Sequence, residues 1–240
     1  MKICLLAEGC YPYVAGGVSS WIQMLVTGMP EHEFEIFAIG AEEKQRGQYK
    51  YTLPGNITAV HEYFLDSFYE EGDRSGRVEL TPAARRAFID LLVGNPVAWD
   101  AIFDQFGKDS PFRANDFLCS PAFMEIVMEV GNMPRYQHTP FIEVFWTIRS
   151  MLLPMLNLLR CDIPEADIYH SVSTGYAGLV ASVFRYRTGK PFILTEHGIY
   201  SREREEEILK AAWVNTLFKQ TWIDFFAAMC RGGYTHADRV

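Results

Sequence analysis

Lys2-Ile3-Cys4-Leu5-Leu6-Ala7, running into Glu8-Gly9-Cys10-Tyr11-Pro12-Tyr13-Val14-Ala15-Gly16-Gly17-Val18, decides the fold. A short apolar run bounded by a charge and a glycine reads as a strand covered on both faces. It is too short for a signal peptide. From Val18 the period changes. Val18, Trp21, Ile22, Leu25, Val26 and Met29 follow i, i+3, i+4, i+7, i+8 and i+11, which is one apolar stripe on a helix. Pro30 ends it. A buried strand, a glycine turn and an amphipathic helix form the opening of a βαβ unit, in which ligands bind beyond the carboxyl ends of the strands.

Working outward, residues 33–39, 167–171 and 191–195 read as three further strands. Tyr176, Leu179, Val180, Val183 and Phe184 repeat the helical spacing, with Arg185 and Arg187 in the last turn and Gly189 as a C-cap. This alternation predicts an α/β fold with a Rossmann-like, doubly wound parallel sheet. Residues 64–161 interrupt it and read as a helical insertion. Four capping residues there precede proline: Thr81-Pro82, Asn95-Pro96, Ser120-Pro121 and Thr139-Pro140. Each predicts a helix start, because proline at the first helical position loses an N–H that has no partner there anyway. The last of these helices is expected to run to about Arg160, with a kink or break at Pro154. Asp73-Arg74-Ser75-Gly76 reads as a surface turn, and Glu70 and Glu71 beside it as solvated. The terminal Ala237-Asp238-Arg239-Val240 reads as a helix end entering another strand, so the chain is expected to continue into a further domain.

The bulk numbers exclude several classes. With 30 acidic against 22 basic residues, the net charge of −8 argues against a general nucleic-acid binder. The cysteine count is five, which is odd, and no CxxC pair occurs; reduced thiols in a cytoplasmic protein are expected rather than disulfides or a zinc site. The longest apolar region, residues 144–159, contains Arg149, Pro154 and Asn157. It falls short of the about 20 apolar residues that a membrane span requires, and none is expected. HExxH, Walker A, GxSxG and GxGxxG motifs are absent, and His138 and His236 are isolated.

The candidate site residues sit at predicted strand ends. Gly16 and Gly17 open the first helix, where free N–H groups and the helix dipole suit a phosphate; a glycine pair can equally serve chain geometry alone. His170 lies at the end of the strand over 167–171 and is either a contact for a substrate hydroxyl or a buried histidine with its nitrogens satisfied. Thr195-Glu196-His197-Gly198 follows the next strand, placing His197 at the same edge with Glu196 beside it. An imidazole there can hydrogen-bond a sugar hydroxyl or a reacting group, or simply form part of the turn. Ser201 reads as the N-cap of the next helix, whose charged run is mostly a solvated face. Arg202 and Arg204 are the members near enough to meet an acceptor or phosphate.

Three strings carry a family resemblance: Glu8-Gly9-Cys10-Tyr11-Pro12, Gly16-Gly17-Val18-Ser19-Ser20-Trp21 and Thr195-Glu196-His197-Gly198-Ile199-Tyr200-Ser201-Arg202-Glu203-Arg204. Together they resemble the PelF-like group within the retaining GT-B glycosyltransferases of the glycogen-synthase-like family four. The resemblance implies that residues 1–240 are the N-terminal, acceptor-side Rossmann-like domain of a two-domain transferase. The nucleotide-binding C-terminal domain would lie outside this chain. It implies a UDP-sugar donor, a saccharide acceptor in Pel-type exopolysaccharide synthesis, association with membrane-bound synthase components, and no metal or other cofactor. In that pattern His197 contacts the donor sugar near its reacting carbon, and Gly16 and Gly17 meet the donor phosphate; Glu196, His170 and Arg202 complete the expected substrate-binding set. Two other readings remain open at this point: a non-catalytic interaction module of a synthase complex, and a GT-B-type sugar-nucleotide epimerase.

Overall fold

The computed structural model describes residues 1–68 and 78–240. The expected turn at Asp73-Arg74-Ser75-Gly76, with Glu70 and Glu71, lies outside them. In chain order the elements are β1 (Lys2–Glu8), α1 (Gly17–Gly28), β2 (Glu33–Gly40), β3 (Ile57–Phe64), α2 (Pro82–Val93), α3 (Trp99–Gln105), α4 (Ala114–Leu118), α5 (Pro121–Gly131), α6 (Phe141–Leu158), β4 (Ile168–Ser171), α7 (Gly175–Thr188), β5 (Phe192–Leu194), α8 (Tyr200–Lys210) and α9 (Lys219–His236). The described residues divide into a sheet unit, residues 1–68, 162–200 and 229–240, and a helical unit, residues 78–161 and 201–228.

The fold is α/β. The sheet unit contains a five-stranded, all-parallel Rossmann-like sheet in the order β3-β2-β1-β4-β5. β1 is central, and Cys4, Leu5 and Leu6 are fully buried, as the apolar run requires of a strand covered on both faces. In β2, Phe34, Ile36, Phe37 and Ala38 are all buried, so both sides of that strand face core. β3 is the strand that the sequence pattern does not reveal. Ile57-Thr58-Ala59-Val60-His61-Glu62-Tyr63-Phe64 is polar at alternate points and only half-buried until Phe64, because it forms the sheet edge. At the other edge the chain's last residues return. The Leu194 N–H donates to the Arg239 carbonyl at 2.9 Å and the Asp238 N–H to the Phe192 carbonyl at 2.8 Å, a parallel bridge beside β5.

α7 is buried from Gly175 to Phe184. A Cβ built on Gly233, in the part of α9 that belongs to this unit, would lie 3.7 Å from the Gly178 Cα, so glycines let the two backbones approach. Gly189 ends α7 in the left-handed region, its N–H bonded to the Arg185 carbonyl.

The helical unit has an aromatic centre. Phe88 stacks on Phe117 at 5.0 Å and meets Phe106 edge-on at 5.4 Å, while Phe123 meets Phe117 at 5.5 Å. α6 runs through Pro154 without a break. By length and composition it is the one described helix apolar enough to cross a membrane. Eight of its residues, from Val144 to Leu158, are buried within the unit, and Arg149 donates to the Asn115 side chain at 3.0 Å.

Two of the four expected helix starts are built as the sequence suggests. The Thr81 Oγ1 accepts from the Ala84 N–H at 3.1 Å, and the Ser120 Oγ from the Phe123 N–H at 3.2 Å. The other two differ. Gly94, in the left-handed region, closes α2, and Asn95 bonds back to Asp90 through both its backbone and its side chain. Asn95 thus completes a helix end, and α3 begins later, at Trp99. At the fourth, Pro140 itself occupies the N-cap of α6, without any side-chain cap. Ser201 likewise lies inside α8 rather than at its cap. Thr81→Ala and Ser120→Ala should therefore each cost about 1 kcal/mol of stability, while Thr139→Ala should stay within about 0.5 kcal/mol. Urea unfolding of the three variants measures the contrast.

Candidate functional site at the carboxyl edge of the sheet

Because β2 and β4 lie on opposite sides of β1, the strand order reverses there, and the crevice beyond the carboxyl ends of β1 and β4 is the expected ligand position. The loop leaving β1 is held rigidly. The Tyr11 ring is buried and its hydroxyl donates to Gln23 at 2.8 Å, while the Gln23 amide donates to the Thr52 carbonyl. The Tyr13 hydroxyl donates to Glu62 at 2.6 Å, and the Lys50 N–H donates to the Pro12 carbonyl. This loop delivers Gly16 to the N-cap of α1. Gly16 is extended, no side chain caps the helix, and its first turn has no acidic residue. A Cβ on Gly16 or Gly17 would meet nothing within 4 Å, and the Gly16 N–H donates to the Tyr51 hydroxyl in a long bond of 3.4 Å. Two buried hydroxyls belong to this edge and have no hydrogen-bond partner, Ser19 Oγ in the first turn of α1 and Ser173 Oγ just after β4.

The start of α7 is the opposite case. Glu8, the last residue of β1, accepts from the Tyr176 N–H at 2.8 Å and the Ala177 N–H at 3.2 Å, so its carboxylate already occupies the positive end of that helix. Its other oxygen accepts from the Tyr200 hydroxyl at 2.7 Å. Gly175 permits this arrangement. Its φ is +76°, and a Cβ there would lie 2.3 Å from the Tyr200 ring. Glu196 is equally engaged. One oxygen accepts from Thr174 Oγ1 at 2.7 Å and the Tyr200 N–H at 3.0 Å, and the other accepts from the Tyr234 hydroxyl. Glu196 therefore caps α8 and braces the turn that carries His197.

His170 and His197 come together around a residue the sequence reading left out. The Trp21 ring, on α1, meets His197 edge-on at 4.7 Å and His170 edge-on at 5.9 Å. His170 Nε2 lies 2.9 Å from Thr195 Oγ1. Burial first, and then the neighbouring His197, push its pKa down to about 4, so it is neutral at pH 7. His197 is exposed and borders this edge with its ring steadied by Trp21. The arrangement offers one half-buried, neutral, positioning imidazole and one solvent-facing imidazole able to donate or accept a hydrogen bond.

Arg202 is exposed on α8, within the helical unit. Arg204, in the same unit, pairs with Glu207 at 2.6 Å and lies over the Phe226 ring. Burial pushes the Cys10 thiol up to about 11, so it is protonated near neutrality and unsuited to act as a nucleophile. Among the described residues no group of three or more His, Cys, Asp or Glu is placed to hold a metal ion.

The residues missed from sequence were Glu8, Trp21, Thr195, Tyr200 and Tyr234. Only Glu8 had a readable signal, a carboxylate directly ending a buried strand. The family comparison covers everything just described: a family model described as a domain of unknown function (DUF3492) matches residues 1–240. The chain belongs to the DUF3492 family. No curated protein matches it.

The depressed His170 pKa makes a pH prediction. The unfolded chain binds a proton at this side chain below about 6.5, and the folded chain only below about 4. The DUF3492 domain should thus lose stability as pH falls between those values, by on the order of 2–3 kcal/mol from this group, with no further loss below. His170→Gln should remove that component. Urea unfolding of both proteins at pH 7, 5 and 4 gives the difference.

Proposed function

We propose that this domain is the acceptor-side, N-terminal part of a cytoplasmic, retaining GT-B glycosyltransferase, PelF-like in kind, that moves a sugar from a UDP-sugar onto a growing exopolysaccharide. The observation that carries the reading is the uncapped start of α1, which opens at the sheet's switch point while the neighbouring start of α7 is filled by Glu8. An anion that sought a helix N-terminus here would find α1 and be refused by α7. The occurrence of this domain in glycosyltransferase-like proteins supports the same reading.

In this reading the acceptor hydroxyl forms the new bond to the anomeric carbon as the bond from that carbon to the UDP oxygen breaks. UDP departs with the electron pair, and the acceptor hydroxyl's proton passes to its departing phosphate oxygen. The N–H groups at Gly16 and Gly17 stabilise the departing phosphate, the main electrostatic contribution of this half. His197 contacts the donor sugar beside the reacting carbon. His170, Thr195 and Trp21 set its orientation, and Glu196 fixes its turn. Arg202 is not assigned a role by its position. Donor base and ribose would be held by a second domain.

Two measurements test this. In the full-length protein, His197→Ala should lower transfer by about 2–4 kcal/mol of transition-state stabilisation, roughly 30- to 10³-fold, with the thermal midpoint little changed because the side chain is exposed. Unchanged transfer would reduce His197 to a turn residue, and donor hydrolysis or epimerisation without transfer would replace the reaction assigned. For residues 1–240 alone, UDP-sugar affinity should be about millimolar or weaker, since a few solvent-exposed backbone N–H bonds contribute only about 0.5–1.5 kcal/mol each. Calorimetry showing micromolar binding would place the nucleotide site within these residues.

A further inference from the structure

The helical unit holds a second concave site. Two stretches far apart in sequence meet there: Ile142, Glu143, Trp146, Thr147 and Ser150 from one face of α6, and Trp213, Val214, Asn215, Phe218 and Trp222 from the link between α8 and α9 and the start of α9. The groove has a volume of about 510 Å³, within the range of small-ligand sites. It is unusual in what it leaves uncovered. Trp213 is 75% exposed, Trp146 57% and Ile142 56%. Trp213 meets Trp222 at 5.8 Å and 82°, so the two indoles form a corner in which Trp213 is the exposed wall and Trp222 is backed by Phe226.

The groove is not simply apolar. Glu143 and Asn215 face each other across it, the Asn215 amide donating to the Glu143 carboxylate at 3.3 Å, and the hydroxyls of Thr147 and Ser150 belong to the same wall. No lysine or arginine lines it, the nearby Arg149 guanidinium lying over the Trp146 ring at 5.8 Å, and the one charge in its lining is negative. That chemistry excludes phosphates, nucleotides and anionic lipid headgroups. A purely apolar ligand would take water from the carboxylate and amide and leave them their mutual bond alone across the groove. Pyranose rings fit both halves: their C–H faces pack on exposed indoles, and their equatorial hydroxyls donate to a carboxylate and exchange bonds with an amide and hydroxyls.

We propose that this groove binds a pyranose oligosaccharide that carries no anionic groups. Trp146 and Trp213 supply the stacking surfaces, and Glu143 with Asn215 the hydrogen bonds. Under the transfer reading above, the natural occupant is the growing product chain; the saccharide site itself stands without that reading.

The test uses the full-length protein without donor, titrated with cellopentaose, chitopentaose and maltopentaose, and with an oligogalacturonate as the anionic counterpart. Intrinsic tryptophan fluorescence and calorimetry report binding. At least one neutral oligomer should bind with a Kd of about 10 mM or tighter, and the oligogalacturonate should not. Trp213→Ala and Trp146→Ala should each weaken that binding at least about tenfold, with unchanged circular dichroism, since both side chains are largely exposed. His197→Ala should leave it intact, which separates this groove from the sheet-edge site and lets the transfer reading fail independently. Absence of binding by all three neutral oligomers, preference for the oligogalacturonate, or binding indifferent to both tryptophan substitutions would overturn the proposal.

Discussion

The carboxylate of Glu8 ties the end of the central strand to the start of α7 and, through the Tyr200 hydroxyl, to the start of α8. A charge at the end of a buried strand is costly unless hydrogen bonds replace its water. Here two backbone N–H groups at a helix N-terminus and a phenol do so. The same bonds fix the spacing of the β1 and β4 connections. They require a glycine at position 175, because the Tyr200 ring occupies the space where a side chain would begin. Glu196 repeats the device one strand further out, tying Thr174, Tyr200 and Tyr234 together. With these carboxylates satisfied internally, the edge keeps one helix start unneutralised, that of α1.

This division of labour explains the two histidines. His170 lies inside the bracing and is kept neutral by burial; His197 lies at its rim and stays in contact with water. A single tryptophan touches both. Its indole packs edge-on against the exposed ring without bringing a charge to it, as a carboxylate partner would have done. The sheet edge therefore presents neutral donors and acceptors together with the field of a helix end, and little fixed charge of its own.

The sheet was largely legible from sequence because buried parallel strands write themselves as short apolar runs, as residues 2–7 and 33–39 show. β3 escaped because an edge strand with one wet face mixes His61 and Glu62 into its run. Helix starts were legible where a hydroxyl precedes proline and nothing competes for it, at Thr81 and Ser120. Asn95 failed because the preceding helix claimed it first. At the site, Gly16, Gly17, His170 and His197 could be found by their places at strand ends. Trp21, Tyr200 and Tyr234 could not, since an aromatic on a helix looks the same whether it packs in a core or reaches a strand end. Glu196 read as a ligand residue from its position beside His197, yet its oxygens face inward to three protein donors. Only coordinates distinguish those directions.

The last four residues have a further bearing on the solution behaviour of the chain. They pair with β5 on the side away from β4, and Asp238 also accepts from the Phe192 N–H and binds Arg185 through both oxygens. Were the chain cut before Ala237, β5 would lose that cover, and its outward N–H and C=O groups, flanked by Phe192, Ile193 and Leu194, would become a bare template. Such an edge recruits other strands, including its own kind. Residues 237–240 thus act as a guard against self-association at this edge of the sheet.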